Sequence, residues 1–341
     1  MTGDPGSRYS RQTILPEFGE DGQERLARST VLVVGCGALG SVLADTLTRG
    51  GVGHLVILDR DVLELSNLQR QSLFNEQDVT DGLPKAEAAA RTLARVNADI
   101  RIEGRVTDLT PRNAEALIRD VDLVLDGTDN FEARYLINDV CCKLGKPWVY
   151  GGVIGTTGMT MSVVPGSGPC LRCVFPEPPA PGTAPTCDTA GVLNTVPAII
   201  ASLQATAAYR ILLGHPPESG RLLSLDAWTR RWHELTAPAS ESCPACVHGR
   251  YEFLDAGQTS WTTAFCGRNA VQVSPASELE LDLAALKERL DPVATATFNG
   301  LVLSLTVEGH ELVVFPDGRA LIKDTQDESR ARALYARYVG M

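Results

Sequence analysis

Long apolar runs are missing from this 341-residue chain. No stretch approaches the ~18 apolar residues that a bilayer span needs. Met1 to Ser10 is polar and lacks the apolar core of a secretory leader. Basic charge is also in deficit: 31 Lys and Arg stand against 42 Asp and Glu, a formal charge of −11. That balance argues against a nucleic-acid groove or an anionic membrane surface as partner. The expected compartment is therefore cytoplasmic. What is present, 44% hydrophobic and 21% charged residues, is the composition of an ordinary globular protein of about two domains. Nine cysteines in a reducing compartment point to metal ligands or reactive thiols rather than disulfides.

The chain is organised around Val31-Leu32-Val33-Val34, which runs into Gly35-Cys36-Gly37-Ala38-Leu39-Gly40. A β-branched apolar run reads as a buried parallel strand, and G-x-G-x-x-G as a tight turn into a helix. The glycines let backbone approach a phosphate closely, and the helix N-terminus behind them offers unpaired N–H groups to an anion. A second apolar run, Leu55 to Leu58, ends in Asp59, at the distance where an acid meets a ribose hydroxyl. Gly35, Gly37, Gly40 and Asp59 are thus candidate nucleotide-binding residues.

Further along, strand and helix patterns alternate. Helices are expected over Asp21 to Leu26, from Ser41 to Arg49, from Lys85 behind Pro84 to Val96, and from Thr110-Pro111 to Arg119. Strands are expected at Arg101 to Val106, Val121 to Asp126, Pro147 to Gly151 and Met159 to Val164. This alternation implies an α/β fold, a Rossmann-like, mostly parallel sheet with helices on both faces. Ligands of such sheets sit beyond the carboxyl ends of the strands, where Asp59, Asp61, Arg70 and Asp129 fall. A long helix is expected from Asn194 to Leu213, then a strand at Leu222 to Asp226 and a polar linker. The pattern changes after about Arg250. Leu279, Leu283, Leu286 and Leu290 mark a helix face, Leu301 to Leu305 alternate, and Pro316-Asp317-Gly318 reads as a hairpin turn. Thr325 with Glu328 reads as a capping box ahead of a last helix. The expected domains are 1–250 and a small α+β domain at 251–341.

Cys170/Cys173 and Cys243/Cys246 are two Cys-x-x-Cys pairs whose four thiolates suit a closed, structural zinc site. Arg11, Arg70 and Lys85 are cations that the topology would gather near the glycine turn, where a triphosphate needs neutralising. Asp129, at a strand end, offers the hard oxygen that Mg2+ prefers. Cys187 stands on a loop after a Pro/Gly-rich segment and is a candidate nucleophile, with a chemically silent loop thiol as the alternative. Cys141 and Cys142 read as core residues, Cys36 as a small filler in the turn, and Cys266 as an isolated thiol.

Together, Arg8-Tyr9-Ser10-Arg11-Gln12, Gly35 to Gly40, Asp59-Arg60-Asp61, Ser66-Asn67-Leu68-Gln69-Arg70-Gln71, Pro84-Lys85, Asp126-Gly127-Thr128-Asp129-Asn130 and both cysteine pairs resemble the ThiF/MoeB/HesA family, bacterial relatives of ubiquitin-activating E1 enzymes. The resemblance implies an E1-like adenylation domain and an ATP-dependent adenylyltransferase. It implies that Asp59 holds the ribose, that Asn67, Arg70 and Lys85 contact phosphates, and that Asp129 positions Mg2+. Asp61 belongs to the same nucleotide-binding set. Arg11 matches an arginine that reaches the neighbouring subunit's site, which implies a homodimer. The implied substrate is the C-terminal glycine carboxylate of a ubiquitin-like sulfur carrier ending in Gly-Gly. Cys187 matches a cysteine used in later sulfur chemistry by some members. The tail departs from the family's appended rhodanese domain, since Cys266-Gly267-Arg268-Asn269 does not look like a rhodanese active loop. Sulfur would then come from a separate sulfurtransferase or cysteine desulfurase. The competing readings are a NAD-dependent oxidoreductase, which shares the glycine fingerprint, and a non-catalytic carrier-binding scaffold.

Overall fold

The computed structural model describes residues 8–179, 187–256, 262–264, 269–275 and 279–340. The chain divides into two compact units, one of residues 1–76 and 85–257, the other of 77–84 and 258–341. The first unit runs a few residues past the expected boundary at 250. The cause is Asp139, whose Oδ2 accepts from Phe253 N at 2.8 Å and ties that segment back. Among the described residues no helix is long and apolar enough to cross a membrane.

After a helical turn, Ser10–Thr13, the first unit continues with helix α1 (Gly19–Arg28), longer than expected, with Leu26 fully buried. Strand β1 (Thr30–Val34) feeds helix α2 (Ala38–Gly50), and β2 (His54–Leu58) follows. Helix α3 (Lys85–Val96) begins at the residue after Pro84, as its proline predicts. Then come β3 (Arg101–Arg105), α4 (Ala114–Arg119), β4 (Leu123–Asp126), α5 (Phe131–Leu144) and β5 (Trp148–Ile154). Helix α4 starts later than Thr110-Pro111 suggests. Asn113 Oδ1 accepts from Thr110 N at 2.8 Å and its Nδ2 donates to Asp108 O, so side-chain bonds close a loop there instead. Strand β6 (Thr157–Val163), helix α6 (Thr195–Leu212), β7 (Arg221–Asp226) and β8 (Arg231–Thr236) complete the unit. The sheet runs β3-β2-β1-β4-β5-β6-β7-β8. Its first five strands are parallel and its last three antiparallel. One layer of core joins Leu32, Val34, Val56 and Leu58 to Ile118 of α4 and Val140 of α5.

The second unit is an antiparallel sheet, β9 (Thr262–Ala264), β10 (Ala270–Val273), β11 (Thr295–Phe298), β12 (Leu303–Val307), β13 (His310–Val314) and β14 (Ala320–Lys323), in the order β11-β12-β13-β14-β10-β9. Helices α7 (Leu283–Leu290) and α8 (Glu328–Tyr338) bury Leu283, Leu286, Leu290, Ala331, Leu334 and Tyr335 in one core with the strands. This is the expected α+β domain, with two corrections at helix starts. Asp282 caps α7, accepting from Ala284 N and Ala285 N, and leaves Leu279 outside the helix and 39% exposed. Asp327, not Thr325, caps α8 by accepting from Ser329 N and Arg330 N; Thr325 Oγ1 accepts from Asp327 N instead.

Candidate active site

The site is built where β1, β2 and β4 end. Gly35 adopts φ +85°, its N–H donates to Leu58 O at 2.7 Å, and a Cβ there would lie 2.9 Å from Gly127 O. Only glycine lets the β1 and β4 exits approach so closely. Gly40 serves packing as well: a Cβ would fall 1.8 Å from Gly35 O. Gly37 is different. A Cβ there would meet nothing nearer than Gln71 Nε2 at 3.8 Å. That glycine leaves room at the N-terminus of α2, where backbone N–H groups have no helical partner.

Asp59 closes the turn from the β2 side. Its Oδ2 accepts from Cys36 N at 2.6 Å and its Oδ1 from Asp61 N at 2.8 Å. Burial raises its pKa, against the lowering charge of Lys85. Lys85 is itself 2% exposed and pairs with Asp61 Oδ2 at 3.0 Å, and its N–H donates to Asp61 O at 2.9 Å. A buried ammonium beside two carboxylates is thus locked at the sheet's carboxyl edge. Arg60 pairs with Asp108 at 2.7 Å. Asn67, 4% exposed, accepts from Glu64 N at 3.2 Å and ends a short 3-10 turn. Arg70 donates to Ser66 O at 2.9 Å and keeps its guanidinium half-exposed.

Asp129 is exposed, on the loop between β4 and α5, and its charge is felt by both Arg60 and Arg134. The loop is held from below by Asp126, which is fully buried. Asp126 Oδ1 accepts from Thr128 N and Oγ1 at 2.9 and 2.7 Å, and Oδ2 from Arg134 Nε at 3.1 Å. Burial raises its pKa, and Arg134 opposes the rise. Arg134 also donates to Thr128 O and Gly151 O. Gln204, from α6, donates to Asp126 O at 2.9 Å.

Three residues of this construction went unread in the sequence. Gln71 is 3% exposed, its Oε1 has no hydrogen-bond partner, and its Nε2 is what a Cβ on Gly37 would meet. In the sequence it shows only as the last residue of the Ser66–Gln71 segment. Arg134 and Gln204 had no signal beyond being polar residues inside helices.

Arg11 lies elsewhere within the chain. Beside it, Gln12 Nε2 donates to Gly50 O at 2.9 Å, and Tyr9 accepts from Asn97 Nδ2 at 2.8 Å. Gly50 is the last of the thirteen residues of α2, so this anchor stands ~20 Å along the helix from the glycine turn. Of the three cations, Lys85 stands at the turn beside Asp59 and Cys36, and Arg11, which is exposed, lies away from it. Cys187 begins a helical turn, Cys187–Ala190, whose exit is tied to the end of β5 by Gly155 N donating to Gly191 O at 2.9 Å. Cys266 lies outside the described residues.

The two cysteine pairs do meet. The Sγ atoms of Cys170, Cys173, Cys243 and Cys246 all lie within 4.8 Å of one another. Cys170 to Cys243 and Cys173 to Cys246 are 3.5 Å, and Cys170 to Cys173 is 4.0 Å. Tetrahedral zinc with Zn–S bonds of ~2.3 Å requires sulfur separations of ~3.8 Å. The donor set therefore fits zinc. The neighbouring Cys142 and Cys243 thiols hold the Cys170 thiol below its ordinary pKa, with burial opposing. The thiolate so favoured is the metal-ligating form. Helix α5 carries both arms of this staple: Asn138 Oδ1 accepts from Leu171 N at 2.9 Å, and Asp139 holds Phe253 N.

Residues 9–245 match the model of the ThiF family. The chain is 39% identical over 343 residues to the sulfur carrier protein ThiS adenylyltransferase of Bacillus subtilis (strain 168), covering 100% of each. It is 41% identical over 249 residues to the SAMP-activating enzyme E1 of Haloferax volcanii, covering 73% of this chain and 91% of the relative. Among solved structures, E. coli MccB with AMPCPP and MccA shares the fold, with a TM-score of 0.63 at 20% identity over 72% of this chain and 75% of the other. With the family model matching residues 9–245 and a relative 39% identical over the whole chain, the chain belongs to the ThiF family.

Proposed function

We propose that this ThiF-family chain is an adenylyltransferase that uses ATP to activate the C-terminal glycine carboxylate of a ubiquitin-like sulfur carrier. The observation that carries the reading is Lys85, an ammonium buried at the strand ends and fixed to Asp61, beside a helix N-terminus that Gly37 leaves open. A polyphosphate needs both a fixed cation and unpaired N–H donors. The full-length relative in B. subtilis, named for adenylation of ThiS, supports the same reading.

In this reading Asp59 accepts from the ribose, and Asn67, Arg70 and Lys85 bind the phosphates. Gln71, with its orphaned buried oxygen, faces the same space. The carrier's carboxylate oxygen bonds to the α-phosphorus as the bridging bond to the β-phosphate breaks, and pyrophosphate leaves with its electron pair. Little covalent chemistry is asked of the protein, so positioning and charge do the catalysis. Asp129 is the residue that would hold Mg2+, whose contribution when bound is to neutralise developing phosphate charge. The loop carrying Asp129 is braced by the Asp126–Arg134 pair, which keeps its carboxylate where the strands end. The four cysteines would hold zinc, a closed site whose role is to staple segments 170–173 and 243–246 together. Arg11 would complete the site of a second copy in a homodimer. The acyl-adenylate is then consumed by sulfur transfer from a separate sulfurtransferase or cysteine desulfurase, with Cys187 as the candidate thiol for that step.

The test is carrier-dependent ATP–pyrophosphate exchange with several small proteins ending in Gly-Gly, and Asp129→Ala as control. Exchange with one carrier, abolished in the variant, is the expected result. NADH binding without ATP binding would replace this reading with an oxidoreductase. ATP binding without exchange on any carrier would replace it with a scaffold.

A further inference from the structure

The second unit takes in residues 77–84 as well as the tail from 258. That short segment lies in sequence between Gln71 and Lys85, two buried polar residues, 3% and 2% exposed. It begins in the helical turn Glu76–Thr80, and Gly82, two residues past that turn, has φ +62°. The amides of Asp81, Gly82 and Leu83 fold back onto the carbonyls of Gln77, Val79 and Asp78. The carbonyls of Asp81 and Gly82 lie past the helix end, where no helical partner exists. Asn299 supplies one: its Nδ2 donates to Asp81 O and to Gly82 O, each at 2.9 Å. The other half of the same amide accepts from Leu301 N at 3.0 Å and Val302 N at 2.9 Å, closing the turn between β11 and β12. A residue needed only for its own turn would use the acceptor alone.

Two residues separate Gly82 from Lys85. Leu83 and Pro84 are both buried, and proline fixes its own φ. Little play remains between the gripped carbonyls and Lys85, whose N–H and Nζ are both bound to Asp61. We infer that Asn299 is a positioning residue for Lys85: by holding Asp81 and Gly82 it fixes the approach of the chain to the phosphate-binding lysine, and the C-terminal unit thereby tunes nucleotide affinity. This rests on the reading of Lys85 as a phosphate contact. It gives residues 258–341 a role in nucleotide binding that needs no rhodanese chemistry.

The experiment uses the full-length chain. Asn299→Asp keeps the acceptor for Leu301 and Val302 and replaces the donation to Asp81 and Gly82 by a carboxylate oxygen that repels both carbonyls; Asn299→Ala removes donor and acceptor alike. Two readouts are taken. In amide hydrogen exchange without nucleotide, Lys85 N–H should exchange about tenfold faster in Asn299→Asp, the scale of one or two lost hydrogen bonds. Amides of β13 should be unchanged. In pyrophosphate exchange, KM for ATP should rise about five- to tenfold with kcat within about twofold. An unchanged Lys85 amide overturns the inference, and so does a faster amide with an unchanged KM. Absence of pyrophosphate exchange in the wild type overturns the adenylation reading instead. The ATP Kd by calorimetry then replaces KM, and an Asn299→Asp value equal to wild type still overturns the inference.

Discussion

A Cβ placed on Gly40 would stand 1.8 Å from the carbonyl oxygen of Gly35, whereas one on Gly37 would meet only Gln71 Nε2 at 3.8 Å. Two glycines of one fingerprint thus answer to different physics. Gly40 lets helix α2 pack against its own turn, and Gly37 leaves the space ahead of that helix open. Gly40→Ala should cost the fold, because the obstructing atom is backbone and cannot move aside. Gly37→Ala should melt within about 2 °C of wild type and raise KM for ATP about tenfold or more, since its methyl occupies the open space. Thermal melts with pyrophosphate-exchange kinetics on both variants check this. Equal loss of stability in the two would refute the distinction.

Asp139 supplies a pH dependence. It is fully buried on α5, holds Phe253 N with one oxygen and leaves Oδ1 without a partner; burial raises its pKa to about 6. A carboxyl whose folded pKa lies above its unfolded value near 3.9 favours the folded state when protonated. Its contribution is therefore fully present below about pH 4 and is lost as pH rises through about 6. Asp139→Asn keeps an acceptor for Phe253 and cannot titrate. Between pH 4 and pH 7 the stability difference should move in the variant's favour, by at most ~3 kcal/mol at 1.36 kcal/mol per pKa unit. Urea unfolding at both pH values measures it, and parallel pH profiles for the two proteins would refute the assignment.

The four-cysteine staple predicts one zinc per chain, released with loss of structure. Cys243→Ser should lower the zinc content measured by metal analysis and the melting temperature together, because ligand binding and the folded state are linked. Segments 170–173 and 243–246 should become the protease-sensitive ones. A variant that lost zinc but melted like wild type would make the metal dispensable to the fold.

The parts of the molecule legible in the sequence are those in which a local pattern has one physical solution. The β1 run into Gly35, Pro84 ahead of α3 and the Cys-x-x-Cys pairs are of this kind, and each stands where expected. Illegible parts depend on partners far along the chain. Strand β8, Arg-Trp-His-Glu-Leu-Thr, is exposed at every residue, so no alternation announces it; it exists because β7 offers a free edge. Asp126 and Arg134 are paired only once the loop between them has folded back. Residues 77–84 join the second unit through Asn299, a partner 217 and 218 positions away. The Thr325 cap failed for a nearer reason. Asp327 competes for the same N–H groups with a better acceptor, and two local signals in four residues cannot be ranked by pattern alone.

Arg11 yields the sharpest test of assembly. Its neighbours Tyr9 and Gln12 are bonded at the far ends of α3 and α2, so within one chain it stands ~20 Å along α2 from Gly37. Side chains do not span that distance, and the segment is anchored at both Tyr9 and Gln12. If Arg11 serves adenylation, it serves the site of a second copy. A twofold dimer then carries two sites, each built from one chain's Lys85 and the other's Arg11. Arg11→Ala and Lys85→Ala homodimers should each be nearly inactive. Co-expressed, they form hybrids in which one site has lost both residues and the other neither. With random pairing about half of the dimers are hybrids with one working site in two, so activity should return to about a quarter of wild type. Pyrophosphate exchange on the tandem-tagged, purified hybrid, free of both parents, should therefore read about half of wild type, and a hybrid no more active than its parents would place Arg11 outside the catalytic assembly.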